Sequence, residues 1–171
     1  MSEVAARGRR IVVMGVTSTG KSEIGARLAA RLGLRFVDGD DLHPAANRAK
    51  MAAGTPLDDA DRAPWLTAIG RELGRAPGVV ACSALRRAYR TRIARAARRP
   101  VDFVWLDGPR EVIARRMAAR QGHFMPVSLL DSQLATLERP GPDERVVRAD
   151  LRRPPGWIVG LALPRLSRPA R

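Results

Sequence analysis

Five short apolar stretches recur along the chain, separated by longer segments in which apolar residues return every three or four positions. The short ones are RIVVMG (10–15), RFVD (35–38), GVVACS (78–83), DFVWLD (102–107) and RVVRAD (145–150). They are rich in β-branched residues and lack polar alternation, the pattern of strands buried on both faces of a parallel sheet. Between them the spacing predicts helices. The first runs from Lys21 to a stop at Gly33, with Ile24, Leu28, Ala29 and Leu32 on one stripe. A second lies between Pro44 and Gly54, with proline at its first turn and glycine past its end. Others are expected over about 61–74, 84–98, 109–121, 126–138 and 155–163. Strands alternating with helices define an α/β fold with right-handed crossovers.

Composition narrows this to one folded domain spanning 1–171. The chain is 45% hydrophobic and 28% charged, which suits a packed globular protein. Flexible ends are expected at 1–9 and 164–171, the second because Pro164 follows the apolar WIVGLAL run. No apolar run approaches the roughly 20 residues of a membrane span. The opening MSEVAARGRR has no apolar core for a secretory leader. Cys82 is the single cysteine, so no internal disulfide can form, and a reducing, cytoplasmic setting is expected.

The net charge of +14 raises the question of nucleic acid. Aromatic residues make up only 4%, too few for stacking platforms, so no nucleic-acid partner is expected. Of 31 basic residues only Lys21 and Lys50 are lysine, and the arginine excess reads as compositional. Where arginine is the default cation, a lysine points to a need for its compact charge.

Lys21 has such a reason. GVTSTGKS, comprising Gly15, Val16, Thr17, Ser18, Thr19, Gly20, Lys21 and Ser22, follows a strand and opens a helix. That is the phosphate-binding loop, whose backbone N–H groups and helix N-terminus converge on phosphate oxygens. Lys21 reaches the terminal phosphates of ATP, and the Ser22 hydroxyl ligates Mg²⁺. Glu23, in the first helical turn, belongs to the ATP site by position but is expected to point away from the polyanion.

In so basic a chain, DGDDLHP (38–44) concentrates negative charge at the end of the second strand. The carboxyl edge of a parallel sheet is where open α/β folds bind ligands. The third strand ends in Cys-Ser without an acid, so Asp38 becomes the candidate to support the metal through a bound water. Asp40 then faces the acceptor and can take a proton from an attacking hydroxyl. Asp41 is expected to help cap the following helix.

The block DGDDLHPAANRAKMAAGTPLDDADRAPWL (38–66), with VVACSALRRAYR (79–90) and RQGHFMPVSLLDSQLATLERPGPDE (120–144), resembles the gluconokinases of the small phosphate-loop type, relatives of shikimate and adenylate kinases. The likeness covers about residues 10–150. It implies a P-loop NTPase fold of three α/β/α layers, nucleoside monophosphate kinase-like, with a five-stranded parallel sheet and a helical lid over about 116–135. It also implies ATP-dependent phosphorylation of D-gluconate to 6-phosphogluconate and a homodimer. The chain departs from the family pattern at Ser18, usually Gly, at Glu23, usually Thr, at Thr91, usually an acid, and most of all after Asp150.

The remaining candidates can be read physically beside that likeness. Asn47 and Lys50 share a helix face and, with His43, can present polar groups to a polyhydroxy acid; a solvated lysine and a capping histidine are the plainer alternatives. Arg62 or Arg86 can hold the substrate carboxylate through its fork geometry, with neither preferred, a pair with a neighbouring Asp being the plainer alternative for Arg62. Ser83 sits at a strand end, and Trp65 reads as core. Arg116 and Arg120 correspond to lid arginines that neutralise the transferring phosphoryl group. His123 and Gln133 match family positions without an assigned role. The rival readings are a kinase for another hydroxy acid such as shikimate, and a nucleic-acid-stimulated NTPase.

Overall fold

The computed structural model describes residues 8–119 and 127–166. Five strands, β1 (Arg10–Met14), β2 (Arg35–Asp38), β3 (Gly78–Ala81), β4 (Asp102–Asp107) and β5 (Val146–Asp150), form one parallel sheet in the order β2-β3-β1-β4-β5. β1 is central, with Val12 opposite both Val80 and Phe103. The helices are α1 (Lys21–Leu32), α2 (Ala45–Ala52), α3 (Asp59–Arg75), α4 (Arg87–Ala97), α5 (Arg110–Ala118), α6 (Val127–Thr136) and α7 (Pro155–Leu166).

The unbroken apolar character of β1 has a direct cause. Ile11 and Val13 face α1 and α7, meeting Ile24, Leu28, Ile158 and Leu166. Val12 and Met14 face the opposite layer, meeting Leu66, Ile69 and Leu73 of α3 and Ile93 of α4. Successive side chains of a strand point to opposite faces, so a strand covered twice must be apolar at every position. Each fully buried Leu or Ile here contributes roughly 1.5–3 kcal/mol of transfer free energy. α3 and α4 pack closely because Gly70 has no side chain: a Cβ there would lie 2.4 Å from the Ile93 carbonyl oxygen.

Several boundaries differ from the sequence expectation. α3 starts two residues early, at Asp59, because Asp58 and Asp61 form a reciprocal capping box. The helix expected from 84 starts at Arg87, since Ala84 takes a left-handed φ of 44° and Arg86 is extended. Asp41 does not cap α2; Pro44 stands at that N-cap, with no side-chain hydrogen bond. The C-terminal helix continues through Pro164 to Leu166, which is buried against the sheet, so the tail expected from 164 is helical for three more residues. At the other end Arg9, expected to be loose, pairs with Asp102 at 3.2 Å and accepts a hydrogen bond from Gly78 N at 2.9 Å. Residues 120–126 in the expected lid, including Arg120 and His123, lie outside the described residues. No helix among the described residues is long and apolar enough to cross a membrane.

Candidate active site

The loop between β1 and α1 closes on itself through short-range bonds. Lys21 Nζ and Thr19 Oγ1 each donate to the Val16 carbonyl at 2.9 Å. Gly15 N donates to the Ser83 carbonyl at 3.3 Å, tying the loop to the end of β3. α1 begins at Lys21 with no side-chain cap, so its first N–H groups open toward the loop and favour an anion. Glu23 turns along α1 to Arg27, 3.0 Å away with both side chains more than half exposed. Ser18 carries a left-handed φ of 58°. Its buried Oγ has no hydrogen-bond partner among the described residues.

Two side chains from beyond β4 reach this loop. Arg116 on α5 donates to the Thr19 carbonyl at 3.5 Å and to the Leu151 carbonyl. Gln133 on α6 accepts a hydrogen bond of 2.6 Å from Thr17 N. Gln133 thus acquires a position that sequence spacing left blank.

β2 delivers the acidic turn to the same edge. Asp38 Oδ1 accepts from Asp40 N at 3.1 Å, capping a single 3-10 turn over Gly39–Leu42, while Oδ2 accepts from Ser22 Oγ at 2.7 Å. Gly39 is required here, because a Cβ would lie 2.3 Å from the Ala81 carbonyl oxygen. Trp65, a core residue of α3, donates through Nε1 to the Gly39 carbonyl at 2.7 Å and stacks on His43 at 4.1 Å. Asp40 projects outward, its side chain 85% exposed, with His43 Nε2 at 4.0 Å.

His43 is buried, and burial chiefly lowers its pKa; the Asp40 charge opposes this, while Arg48 and Arg62 add to it. Asn47 Nδ2 lies 3.3 Å from Nδ1 of the ring. The amide donates there, which leaves the imidazole proton on Nε2, facing Asp40. The second amide hydrogen of Asn47 goes to the Asp61 carbonyl at 2.8 Å. Lys50 completes this contact by binding both Asp61 carboxylate oxygens, at 2.7 and 2.8 Å. That bond raises the lysine pKa and lowers that of the aspartate. The shared face of Asn47 and Lys50 is real, but it fastens α2 to the first turn of α3. Each of these two side chains has a protein partner at that contact.

Arg62 and Arg86, which the sequence could not rank, meet on one group. Asp59 Oδ2 accepts from Arg86 Nη1 at 2.6 Å, and Oδ1 lies 3.8 Å from Arg62 Nη1. Tyr89 OH donates to the same Oδ1. Both guanidinium carbons lie over the Tyr89 ring, 6.0 and 5.7 Å from its centroid. Neither Asp59 nor the Tyr89 hydroxyl stood out in the sequence, because acids at a helix start ordinarily serve only as caps.

The segment carrying Ser83 and Arg86 is held from beneath. Arg90 is 1% exposed, donates to both Glu144 carboxylate oxygens at 2.6 and 3.0 Å, and also binds the Ala84 and Leu85 carbonyls at 3.1 Å. Arg87 N donates to Glu138 at 2.7 Å and its guanidinium pairs with Asp143. Cys82, under this segment, has its thiol pushed up to about 12 by burial, which removes it as a nucleophile.

Comparisons with known proteins place the chain in a family. A protein-family profile described as an AAA domain matches residues 11–140. A gluconokinase of Gluconobacter oxydans is 48% identical over 163 residues, covering 92% of this chain and 91% of its own. The thermosensitive gluconokinase of Escherichia coli is 47% identical over 150 residues, covering 84% and 80%. The crystal structure of a gluconokinase from Sinorhizobium meliloti superposes with a TM-score of 0.86 at 48% identity, covering 94% of this chain and 92% of that one. A phosphate loop joined to an acidic turn on this five-stranded parallel sheet, with kinship at that level over nearly its whole length, makes the chain a member of the gluconokinase family of phosphate-loop kinases.

Proposed function

We infer that this gluconokinase-family chain transfers the terminal phosphoryl group of ATP to the 6-hydroxyl of D-gluconate, giving 6-phospho-D-gluconate and ADP. The observation that carries the reading is the 2.7 Å bond between Ser22 Oγ and Asp38 Oδ2, which joins the loop for one substrate to the turn for the other. In the reaction a bond forms between O6 and the γ-phosphorus as the bond to the β,γ-bridging oxygen breaks. Lys21, the loop N–H groups and Arg116 neutralise the charge that spreads over the transferring group. Asp40 takes the proton from O6 and passes it to solvent, and His43, fixed in its neutral Nε2–H form, steadies that carboxylate. Arg62 and Arg86 hold the carboxylate at the far end of gluconate.

An ATP-dependent kinase requires a divalent metal, and we take it to be Mg²⁺. The donors fit: Ser22 and Asp38 offer hard oxygens. The described residues hold no cluster of three or more His, Cys, Asp or Glu that would bind an ion without help. Mg²⁺ commonly uses one or two protein oxygens and takes the rest from phosphates and water. When bound it withdraws charge from the phosphate oxygens. We extend the reading to a cytoplasmic homodimer on family resemblance, which light scattering after size-exclusion chromatography tests.

An ADP-release assay over a panel of sugar acids and shikimate tests the reaction. Turnover of gluconate well above the others is expected, and turnover of shikimate without gluconate ends this reading. Asp40→Asn is expected to lower kcat about 100-fold, in the range of a lost general base, while ATP affinity stays within about threefold. A near-normal kcat removes Asp40 from that role.

A further inference from the structure

We propose that Asp59 is a positioning residue for the substrate carboxylate, holding Arg62 and Arg86 side by side so that both guanidinium groups receive it. The proposal deepens the gluconate reading above and rests on it. Both guanidinium carbons lie over the Tyr89 ring, at 6.0 and 5.7 Å from its centroid, and two like charges so close would separate if nothing held them. Asp59 pairs with both, accepting a hydrogen bond from Arg86 Nη1 at 2.6 Å and lying 3.8 Å from Arg62 Nη1. Each guanidinium has five N–H donors in a planar fork, so one contact each leaves the outer edges for a second carboxylate. Two positive charges against one negative leave a single positive charge, which matches a monocarboxylate end.

The hydroxyl of Tyr89 fixes the Asp59 carboxylate from below. Burial and the bond to Asp59 raise the tyrosine pKa, so the hydroxyl stays a donor through the neutral range.

Two effects of removing Asp59 oppose each other. Loss of its charge makes the pocket more positive and frees a donor on Arg86, which favours an anion. Loss of its hold lets two long, rotamer-rich side chains disperse, and the substrate must then order them on binding. Asp59 and Arg86 are substantially exposed, at 59% and 40%. Solvent weakens the first effect, so the second dominates and the variant binds acid more weakly.

The test is a double-mutant cycle read in steady-state kinetics with ATP and gluconate. Asp59→Asn is expected to raise the gluconate KM about tenfold, or ~1.4 kcal/mol, with kcat and the ATP KM within about twofold. In an Arg86→Ala background the same change is expected to shift the gluconate KM by less than about twofold, because contacting groups couple and independent ones do not. Tyr89→Phe, which keeps the ring, is expected to move the KM in the same direction by a smaller factor. A gluconate KM that is unchanged or lower in Asp59→Asn overturns the proposal, as does a full tenfold effect that persists without Arg86. If the wild type phosphorylates a different carboxylic acid, the gluconate reading fails and the cycle is read with that acid. If it phosphorylates no carboxylic acid, both fail.

Discussion

Ser22 Oγ donates to Asp38 Oδ2 across 2.7 Å, although the two residues stand 16 positions apart in the chain. One hydroxyl is the last polar group of the phosphate loop, and the carboxylate is the first of the acidic turn. Their contact ties the phosphate loop to the acidic turn.

Asp38→Asn keeps the shape of that contact and removes its charge. The metal concentration giving half-maximal rate is expected to rise at least tenfold and kcat to fall about 100-fold, near 2.7 kcal/mol. Titrating Mg²⁺ at saturating ATP and gluconate measures both, and an unchanged metal requirement excludes Asp38 as a metal support.

His43 makes stability depend on pH in a defined direction. Its folded pKa is depressed by burial, so the unfolded chain takes up a proton first as pH falls. The contribution is fully present above the unfolded value of about 6.5 and is lost progressively as pH drops from there through the folded pKa. His43→Phe keeps an aromatic ring on Trp65 and cannot titrate. Its Tm is expected to fall less than that of the wild type between about pH 7 and 5. Parallel Tm curves count against a neutral, buried His43.

Ser18 occupies a backbone conformation suited to glycine, and its hydroxyl is buried without a partner among the described residues. A left-handed conformation costs a residue with a side chain about 1–2 kcal/mol, and glycine gives back part of that gain through greater unfolded-state freedom. Ser18→Gly is expected to stabilise the fold by about 1 kcal/mol, raising Tm by about 2–4 °C for a chain of this size. Calorimetry of the two proteins decides it, and a lower Tm for Ser18→Gly contradicts the strain argument.

Arg90 is buried and Glu144 nearly so, with side chains 1% and 12% exposed. Arg90→Met leaves that carboxylate unpaired and is expected to cost about 3–5 kcal/mol in urea denaturation. Adding Glu144→Gln is expected to restore part of the loss, since the stranded charge is then gone. Equal stability of the single and double variants rules that account out.

Some of the site could be read early because its signals are contiguous. The phosphate loop is eight adjacent residues between a strand and a helix, and DGDD is an acidic run in a basic chain. Asn47 and Lys50 were legible as neighbours on a helix face, yet their partner was not. That partner is Asp61 on the next helix, and helical spacing says which residues share a face without saying what the face meets. Arg90 carries no local sign of its partners, which are Glu144 and the Ala84 and Leu85 carbonyls. Gln133 had no readable role because its partner, Thr17 N, is 116 positions away.

Periodicity and short motifs are properties of neighbouring residues, so the amino-acid order alone was enough for the strands, most of the helices, the phosphate loop and the family resemblance. The strand order β2-β3-β1-β4-β5, the bond from Ser22 to Asp38 and the convergence of Arg62 and Arg86 on Asp59 came only with the folded chain. Each is a pairing whose partner is chosen by sheet assembly and side-chain packing, and no local pattern encodes that choice.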